Sequence, residues 1–357
     1  RAGQRNDTAY SPSSPSEAGR SDASTPAPMT GSSAIVSYGD LGLGNAARRD
    51  LQRARWAYDE HAALERDHPS LYMLANEQAG RAQVAWLGAD YEEASRLLVS
   101  TRETLERLGA ADDPWLGPFV TFLETSIALA RGEQLDEAAI AELRERFNRA
   151  LTRQQFVGAY FLANCLMLAA MERADTAEAR QFSDLLIAFG TEGPTIAVVD
   201  GRLVSAALHH DEGDLAAAMA DVEHGRAACK MLGDDISAAL FDIRAGLIAL
   251  SRRDLGVAES LIHGALRTVA DRGFRREMVI ALEAVVLTDA ASGNWTDVAR
   301  LHGAAGRLRN ELDYRLRTSP EREAYTDAID KLSADHAEAT AEGTSMDWPA
   351  AAEYALR

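Results

Sequence analysis

The sequence predicts an all-α protein, a right-handed α-solenoid of about six antiparallel helix pairs that follows a disordered N-terminal segment. Two observations support this prediction. From Ala46 onward the chain is dominated by Ala, Leu, Glu and Arg and contains little proline, a composition that favours helix. A short polar motif also returns six times, at intervals of 39 to 44 residues, and repeats of this length are typical of stacked helix pairs.

The chain divides into three segments by composition. Residues 1–45 are rich in Ser, Pro, Gly, Ala and Thr and have almost no large apolar side chains, so we expect them to be disordered. Residues 46–300 carry the repeats, and residues 301–357 are predicted to form C-terminal helices that close the solenoid. The glycine-rich stretch GDLGLGNAARRD, which begins at Gly39, lacks the spacing and the lysine of a phosphate-binding loop. We interpret it as a flexible join to the first helix.

Each copy of the motif is predicted to join the end of one helix, A, to the start of the next, B. A glycine or small polar residue ends helix A, a polar residue caps helix B, and a large residue such as Leu255 then packs back onto helix A. A small residue one turn later lets the two helices approach closely. The predicted caps are Asp90, Gln134, Asp175, Asp214, Asp254 and Asn294, and the small residues are Ala94, Ala138, Ala179, Ala218, Ala258 and Val298. Such pairs are typical of tetratricopeptide-like arrays.

One copy, HHDEGDLAAA, raises the question of a metal site because His209 and His210 precede three carboxylates. Adjacent residues on a helix point about 100° apart, so both histidines cannot ligate one ion with good geometry. The other five copies have no paired histidines at this place. We therefore interpret the pair as the last turn of a helix A and expect no metal and no cofactor.

The charge and cysteine content limit the classes of function. The chain has 55 acidic and 37 basic residues and a net charge of −18, which disfavours binding to nucleic acid or to anionic membranes. Two cysteines, Cys165 and Cys229, suit a reducing cytoplasm, and neither a signal peptide nor an apolar run of about 20 residues is visible. Because motifs of catalysis are also missing, we expect a cytoplasmic binding protein that is not an enzyme.

Three polar residues interrupt apolar A helices and are the candidates for ligand binding: Asn164, Arg202 and Arg244. The A helices of a solenoid line its concave surface, where a protein or small-molecule effector would lie. The alternative is that each side chain reaches solvent or pairs with a neighbouring acid. Six arginines between Arg300 and Arg322 are interrupted by acidic residues, so we interpret them as a solvated helix face.

The last sixty residues resemble the end of the helical-repeat, MalT-like region of large actinobacterial ATP-binding LuxR-type transcriptional regulators and related cyclase–ATPase proteins. That pattern has a Leu-x-Gly-Ala-Ala helix, a linker with Pro and Glu, a Tyr-containing helix and a closing helix that ends in Tyr-Ala-Leu. The matching residues are Leu301, Gly303, Ala304, Ala305, Pro320, Glu321, Tyr325, Ala339, Gly343, Tyr354, Ala355 and Leu356. The chain departs from the pattern at "SADH", where the family has a Leu-Gly turn, and at "PAAAEYAL", where the acidic residue is shifted.

The resemblance implies a sensor or interaction module of a signal-responsive regulator. The family's ATPase domain would lie upstream and its helix-turn-helix would follow Arg357, so neither ATP hydrolysis nor DNA binding is expected of these residues. The alternative is a free-standing tetratricopeptide-type scaffold that binds partner peptides on its concave face. The sequence leaves the identity of the ligand and the oligomeric state open.

Overall fold

The computed structural model describes residues 32–66, 70–192, 195–316 and 319–357, and within these ranges the protein is all-α. The helices are α1 (Ser32–Ala47), α2 (Leu51–Glu65), α3 (Leu71–Leu87), α4 (Tyr91–Leu108), α5 (Leu116–Ala130), α6 (Glu137–Thr152), α7 (Phe156–Glu172), α8 (Thr176–Glu192), α9 (Thr195–Asp211), α10 (Leu215–Leu232), α11 (Asp235–Ser251), α12 (Leu255–Asp271), α13 (Arg275–Ser292), α14 (Trp295–Leu312), α15 (Ser319–Ile329), α16 (Ala337–Ser345) and α17 (Trp348–Ala355). A 3₁₀ turn at Ala334–His336 precedes α16. The predicted fold class is confirmed.

Six helix pairs, α3–α4 through α13–α14, correspond to the six copies of the motif. In four of them the predicted aspartate caps helix B by accepting a backbone N–H, as Asp214 does from Ala217 at 3.0 Å. The small residues of these copies, such as Ala218 and Ala258, are fully buried. The large residue after the cap is not buried in every copy. Leu255 is 37% exposed and does not pack onto helix A as predicted.

The second copy shows a shift of two residues. Helix α6 is capped by Asp136, whose carboxylate accepts the Ala139 N–H at 2.8 Å, so the prediction of Gln134 as the cap is wrong. The small residue predicted from that register, Ala138, is exposed, whereas Ile140, four positions after the real cap, is fully buried. The cause is a longer A–B turn here, in which Gly132 supplies the left-handed backbone (φ 79°).

The other A–B turns place one residue in the left-handed region immediately before the cap. Gly213 and Gly293 occupy this position in two copies, where the missing Cβ removes the steric cost. In three copies the residue is not glycine: Ala89, Ala174 and Arg253 have φ of 58°, 58° and 62°. The tight turn is therefore imposed by the packing of the two helices and the cap, even where the local residue disfavours it.

The prediction of disorder through residue 45 is wrong for residues 32–45, which lie in α1; residues 1–31 are outside the described ranges. Helix α1 packs with few large side chains of its own, because its glycines allow the large Tyr58 side chain of α2 to approach its backbone. A Cβ on Gly42 would lie 2.6 Å from the ring of Tyr58, which also packs on Gly80 of α3. The stretch interpreted as a flexible join is thus the end of α1 and its turn into α2.

The array is curved so strongly that its first turn meets helices far along the chain. The Arg49 guanidinium, from the α1–α2 turn, donates to Glu277 of α13 at 3.1 Å and lies 3.5 Å from Asp234. At a second point, the backbone N–H of Arg315 donates to the Ala130 carbonyl at 2.6 Å. These contacts join parts of the array that lie far apart in the sequence.

Candidate functional site

An apolar space suited to a ligand lies in a groove on the A helices of the last four pairs. Its walls come from α7, α9, α11 and α13, and the segment after α14 together with α15 covers it. It has two connected parts, an inner chamber of about 200 Å³ and an outer chamber of about 450 Å³. Both are lined by Ala207, Arg244, Leu247 and Leu287.

The inner chamber is mainly apolar. Its wall consists of Leu168, Met171, Leu203, Val204, Leu240, Ile243, Ile280, Ala284 and Leu316, in addition to the shared residues. Its polar groups lie at the end beneath the C-terminal segment. There the Arg309 guanidinium forms a two-point ion pair with Glu283, at 2.6 and 2.7 Å, and donates to the carbonyls of Tyr314 and Leu316. Arg309 thus ties the covering segment to helix α13.

The outer chamber is more polar and opens to solvent. Helices α9 and α11 contribute His210, Asp211 and Ser251, and the His210 Nε2 lies 2.8 Å from the Ser251 hydroxyl. Helix α15 contributes Ala324, Asp327 and Ala328, and the turn after it contributes Lys331. Because α15 presents two alanines to the groove, the space beneath it is not filled by protein. The groove therefore combines an apolar interior with charged groups of both signs at its mouth.

Arg244 lies where the two chambers meet. It stands on α11, is 8% exposed, and is the one predicted site residue that lines the groove. An arginine at this junction can hold a carboxylate or phosphate through paired hydrogen bonds while the rest of a ligand occupies the apolar chamber.

Arg202 lies on α9 but contacts the neighbouring helix α10 instead of the groove. Its guanidinium donates to the carboxylate of Asp221, which is 3% exposed. The same carboxylate accepts from the Ser205 hydroxyl at 2.7 Å and lies 2.9 Å from the His209 Nδ1. The three partners come from successive turns of α9, so this cluster fixes α9 to α10.

The same contacts position the adjacent histidines, His209 and His210. His209 Nδ1 faces Asp221, and its Nε2 lies 3.0 Å from the Arg180 guanidinium, so both ring nitrogens face protein groups. His210 points the other way, toward Ser251. Within the described ranges, no group of three or more His, Cys, Asp or Glu side chains is arranged to hold a metal ion.

Asn164, the third candidate, is buried at 3% exposure in α7, where its amide donates to the Tyr160 carbonyl at 3.4 Å. The neighbouring Tyr160 hydroxyl donates to Asp200 of α9 at 2.7 Å. Desolvation raises the pKa of the Asp200 carboxyl to about 6, although the Tyr160 hydrogen bond and the Arg49 charge act in the opposite direction. Asn164 therefore belongs to a polar contact between A helices and does not line the groove.

The cysteines lie in the packed interior. Cys165 and Cys229 are 0% and 1% exposed, and burial raises the pKa of each thiol to about 12. Such thiols remain protonated and are poor nucleophiles.

Among the helices that the structure describes, none combines the length and the apolar character needed to cross a membrane.

Several groove residues were missed by reasoning from the sequence. Glu283 and Tyr314 were not singled out, and Tyr325 was named only as a match to the family pattern. Arg309 was assigned with the other C-terminal arginines to a solvated face. That assignment is wrong for Arg309, whose side chain is 9% exposed against Glu283. The signal available in the sequence was an arginine directly after the apolar Leu308 of a predicted helix, which does not reveal a partner 26 residues away.

Comparison with known proteins supports the fold. The chain is similar to the crystal structure of NprR in complex with its cognate peptide NprX, with a TM-score of 0.51 and 13% sequence identity. The similarity covers 83% of this chain and 87% of that chain, and at this identity it is evidence for the fold alone. No protein-family model and no curated protein matches the sequence.

Proposed function

We propose that the chain is the sensor region of a signal-responsive transcriptional regulator of the LuxR type, and that it binds a peptide or small-molecule effector in the groove on its A helices. The observation that carries the proposal is the groove itself, an apolar chamber joined to a charged mouth with Arg244 between them. Sites for ligands are typically concave and mostly apolar, with a few polar groups that fix orientation.

A short peptide suits both chambers. An apolar side chain would fill the inner chamber, and a carboxylate, at a C-terminus or on an acidic side chain, would meet Arg244. The likeness to NprR, a protein crystallised with a peptide, supports this choice of ligand class. The proposed activity is binding without catalysis, in the cytoplasm, and neither nucleic acid nor a membrane is a proposed partner of this chain.

The test is capture of a ligand from cell extract followed by mass spectrometry. The informative variant is Ala324→Trp, because Ala324 is exposed on α15 and faces the outer chamber, so the larger side chain fills the groove without entering the core. The matched control is Ala216→Trp, at an exposed position of α10 that does not line the groove. We expect a component retained by the wild type and the control and lost from Ala324→Trp.

Arginine variants give a second, independent comparison. Arg244→Ala should weaken capture about tenfold or more, because a charged hydrogen-bonded pair is lost. Arg202→Ala should leave capture unchanged, although it lowers stability by freeing Asp221. Equal retention by all four variants and the wild type would place the ligand outside the groove and refute the proposal.

A further inference from the structure

We propose that helix α1 is an acid-sensitive cover of helix α2, which is released when His61 takes up a proton. The His61 side chain lies between the two helices and is 0% exposed. The backbone of α1 passes directly over its ring, because a Cβ built on Gly39 would lie 3.6 Å from the Cε1 and 3.7 Å from the Nδ1 of His61. With α1 in place, solvent does not reach the imidazole.

The imidazole of His61 is buried without the hydrogen bonds that its charged form requires. Within the described ranges, neither Nδ1 nor Nε2 has a hydrogen-bond partner. A neutral imidazole has one donor and one acceptor nitrogen, whereas the imidazolium has two donors and a full positive charge. Burying a charge is strongly unfavourable unless the charge is paired and hydrogen-bonded. Protonation of His61 therefore disfavours the packed position of α1.

The charge nearest in effect to His61 is also positive. Burial, and after it the positive charge of Arg81 on α3, hold the pKa of His61 below its ordinary value of 6.5. Arg81 is itself paired with Glu77 and with Asp59, so it engages the acids that an imidazolium needs. The titratable groups where the three helices pack together are Tyr58 and Glu65 of α2, Glu77 and Arg81 of α3, and Asp40 of α1.

Glu65 titrates in the opposite direction. It lies one turn after His61 on α2, is 8% exposed, and has one oxygen, Oε1, to which no described group donates. Burial raises the pKa of its carboxyl, although a hydrogen bond from the Ser70 backbone acts against the rise. A carboxyl with a raised pKa favours the packed state as the pH falls toward 4.5. Replacing Glu65 with Gln therefore isolates the effect of His61.

The direction of the pH effect follows from the pKa of His61. The imidazole has a pKa below 6.5 when it is packed and near 6.5 when it is solvated, so it binds its proton more tightly once α1 is released. Packing of α1 is then strongest above about pH 7.5 and weakens as the pH falls below 6.5. A solvated imidazole is about 90% protonated at pH 5.5, so the released population rises by up to about tenfold between pH 7.5 and pH 5.5.

The two ends of α1 are held differently. The turn that follows α1 is anchored by Arg49, which pairs with Glu277 and Asp234 of distant helices. Away from this turn, α1 rests on the ring of Tyr58 beneath Gly42, and the Tyr58 hydroxyl also has no hydrogen-bond partner among the described residues. We expect α1 to swing away from α2 about the turn at residues 48–50, while the rest of the array keeps its packing.

Hydrogen exchange followed by mass spectrometry at pH 7.5 and pH 5.5 tests the proposal. Rates are expressed as protection factors, which remove the intrinsic effect of pH on exchange. In the wild type, protection of residues 39–47 should fall by about three- to tenfold at the lower pH, and protection of α4 and α6 should not change. In Glu65→Gln the fall should be equal or larger.

His61→Phe keeps a buried ring that does not titrate, so the fall should disappear in this variant. If His61→Phe does not fold, as judged by circular dichroism, His61→Gln provides the same comparison. The matched control is His263→Phe, because His263 is a half-buried histidine of α12 whose pKa is also lowered by burial, and this variant should respond as the wild type does. Three results overturn the proposal: unchanged or unmeasurable protection of α1 in the wild type, an equal fall in the His61 variants, or an equal fall in α4 and α6.

Discussion

The Asp200 carboxyl provides a quantitative test of the packing between A helices. It accepts a hydrogen bond from Tyr160 at 2.7 Å and lies near the Asn164 amide, in a site where desolvation raises its pKa to about 6 from 3.8. A carboxyl whose pKa is raised in the folded state binds its proton more tightly when folded. The folded protein therefore loses stability as the pH rises from about 4 to about 6.

The size of the effect follows from the shift. A difference of 2.2 pKa units (6 minus 3.8) at about 1.36 kcal/mol per unit makes the ionised carboxylate unfavourable by about 3 kcal/mol above pH 6. Asp200→Asn keeps an oxygen that accepts from Tyr160 and removes the charge. The variant should be more stable than the wild type by about 1–3 kcal/mol near pH 7.5, and this advantage should fall by about 1.4 kcal/mol near pH 5.

Urea unfolding followed by far-ultraviolet circular dichroism at several pH values measures the difference. The control is Asp184→Asn, at an exposed carboxylate on α8, whose effect on stability should be small. An Asp200→Asn variant that is less stable near pH 7.5, or whose advantage grows as the pH falls, would refute the reasoning.

Three further predictions concern the repeats. Ala218→Leu and Ala258→Leu should each lower stability by about 1–3 kcal/mol through overpacking, whereas exposed Ala216→Leu should change it by less than about 0.5 kcal/mol; equal melting curves would show the register to be wrong. Ala174→Gly should raise the free energy of unfolding by about 0.5–1 kcal/mol because φ is 58° there, whereas Ala220→Gly, exposed within α10, should lower it by a similar amount. His209→Gln/His210→Gln should leave the metal content of the purified protein unchanged, and stoichiometric zinc that is lost in this variant would contradict the assignment of the pair to a helix end.

Local signals were predictable from the sequence because capping depends on neighbouring residues. Asp175, Asp214 and Asp254 cap their helices as expected, each bonding to an N–H three residues later. The prediction of the cap failed at Gln134, because the real cap, Asp136, lies two residues later and fits the local pattern equally well. Which of two neighbouring residues caps the helix depends on which later residue reaches the core, and here that residue is Ile140.

Features that depend on distant residues were not predictable. Helix α1 is held by the ring of Tyr58 from α2, so its own composition gave the wrong answer. Arg202 and Arg244 interrupt apolar helices in the same way, yet the first pairs with Asp221 on α10 and the second lines the groove. The pattern along one helix does not specify which neighbouring helix each arginine faces.

Hydrogen exchange with and without the ligand recovered from extract tests the central claim most directly. Binding in the groove should slow exchange in α9, α11 and α13, whose side chains form its walls, and in α15, which covers it. Exchange in α4 and α6 should be unchanged, and the Ala324→Trp variant should show no slowing at all. Protection confined to α10, α12 and α14, or equal protection in Ala324→Trp, would contradict the claim that the groove on the A helices is the binding site.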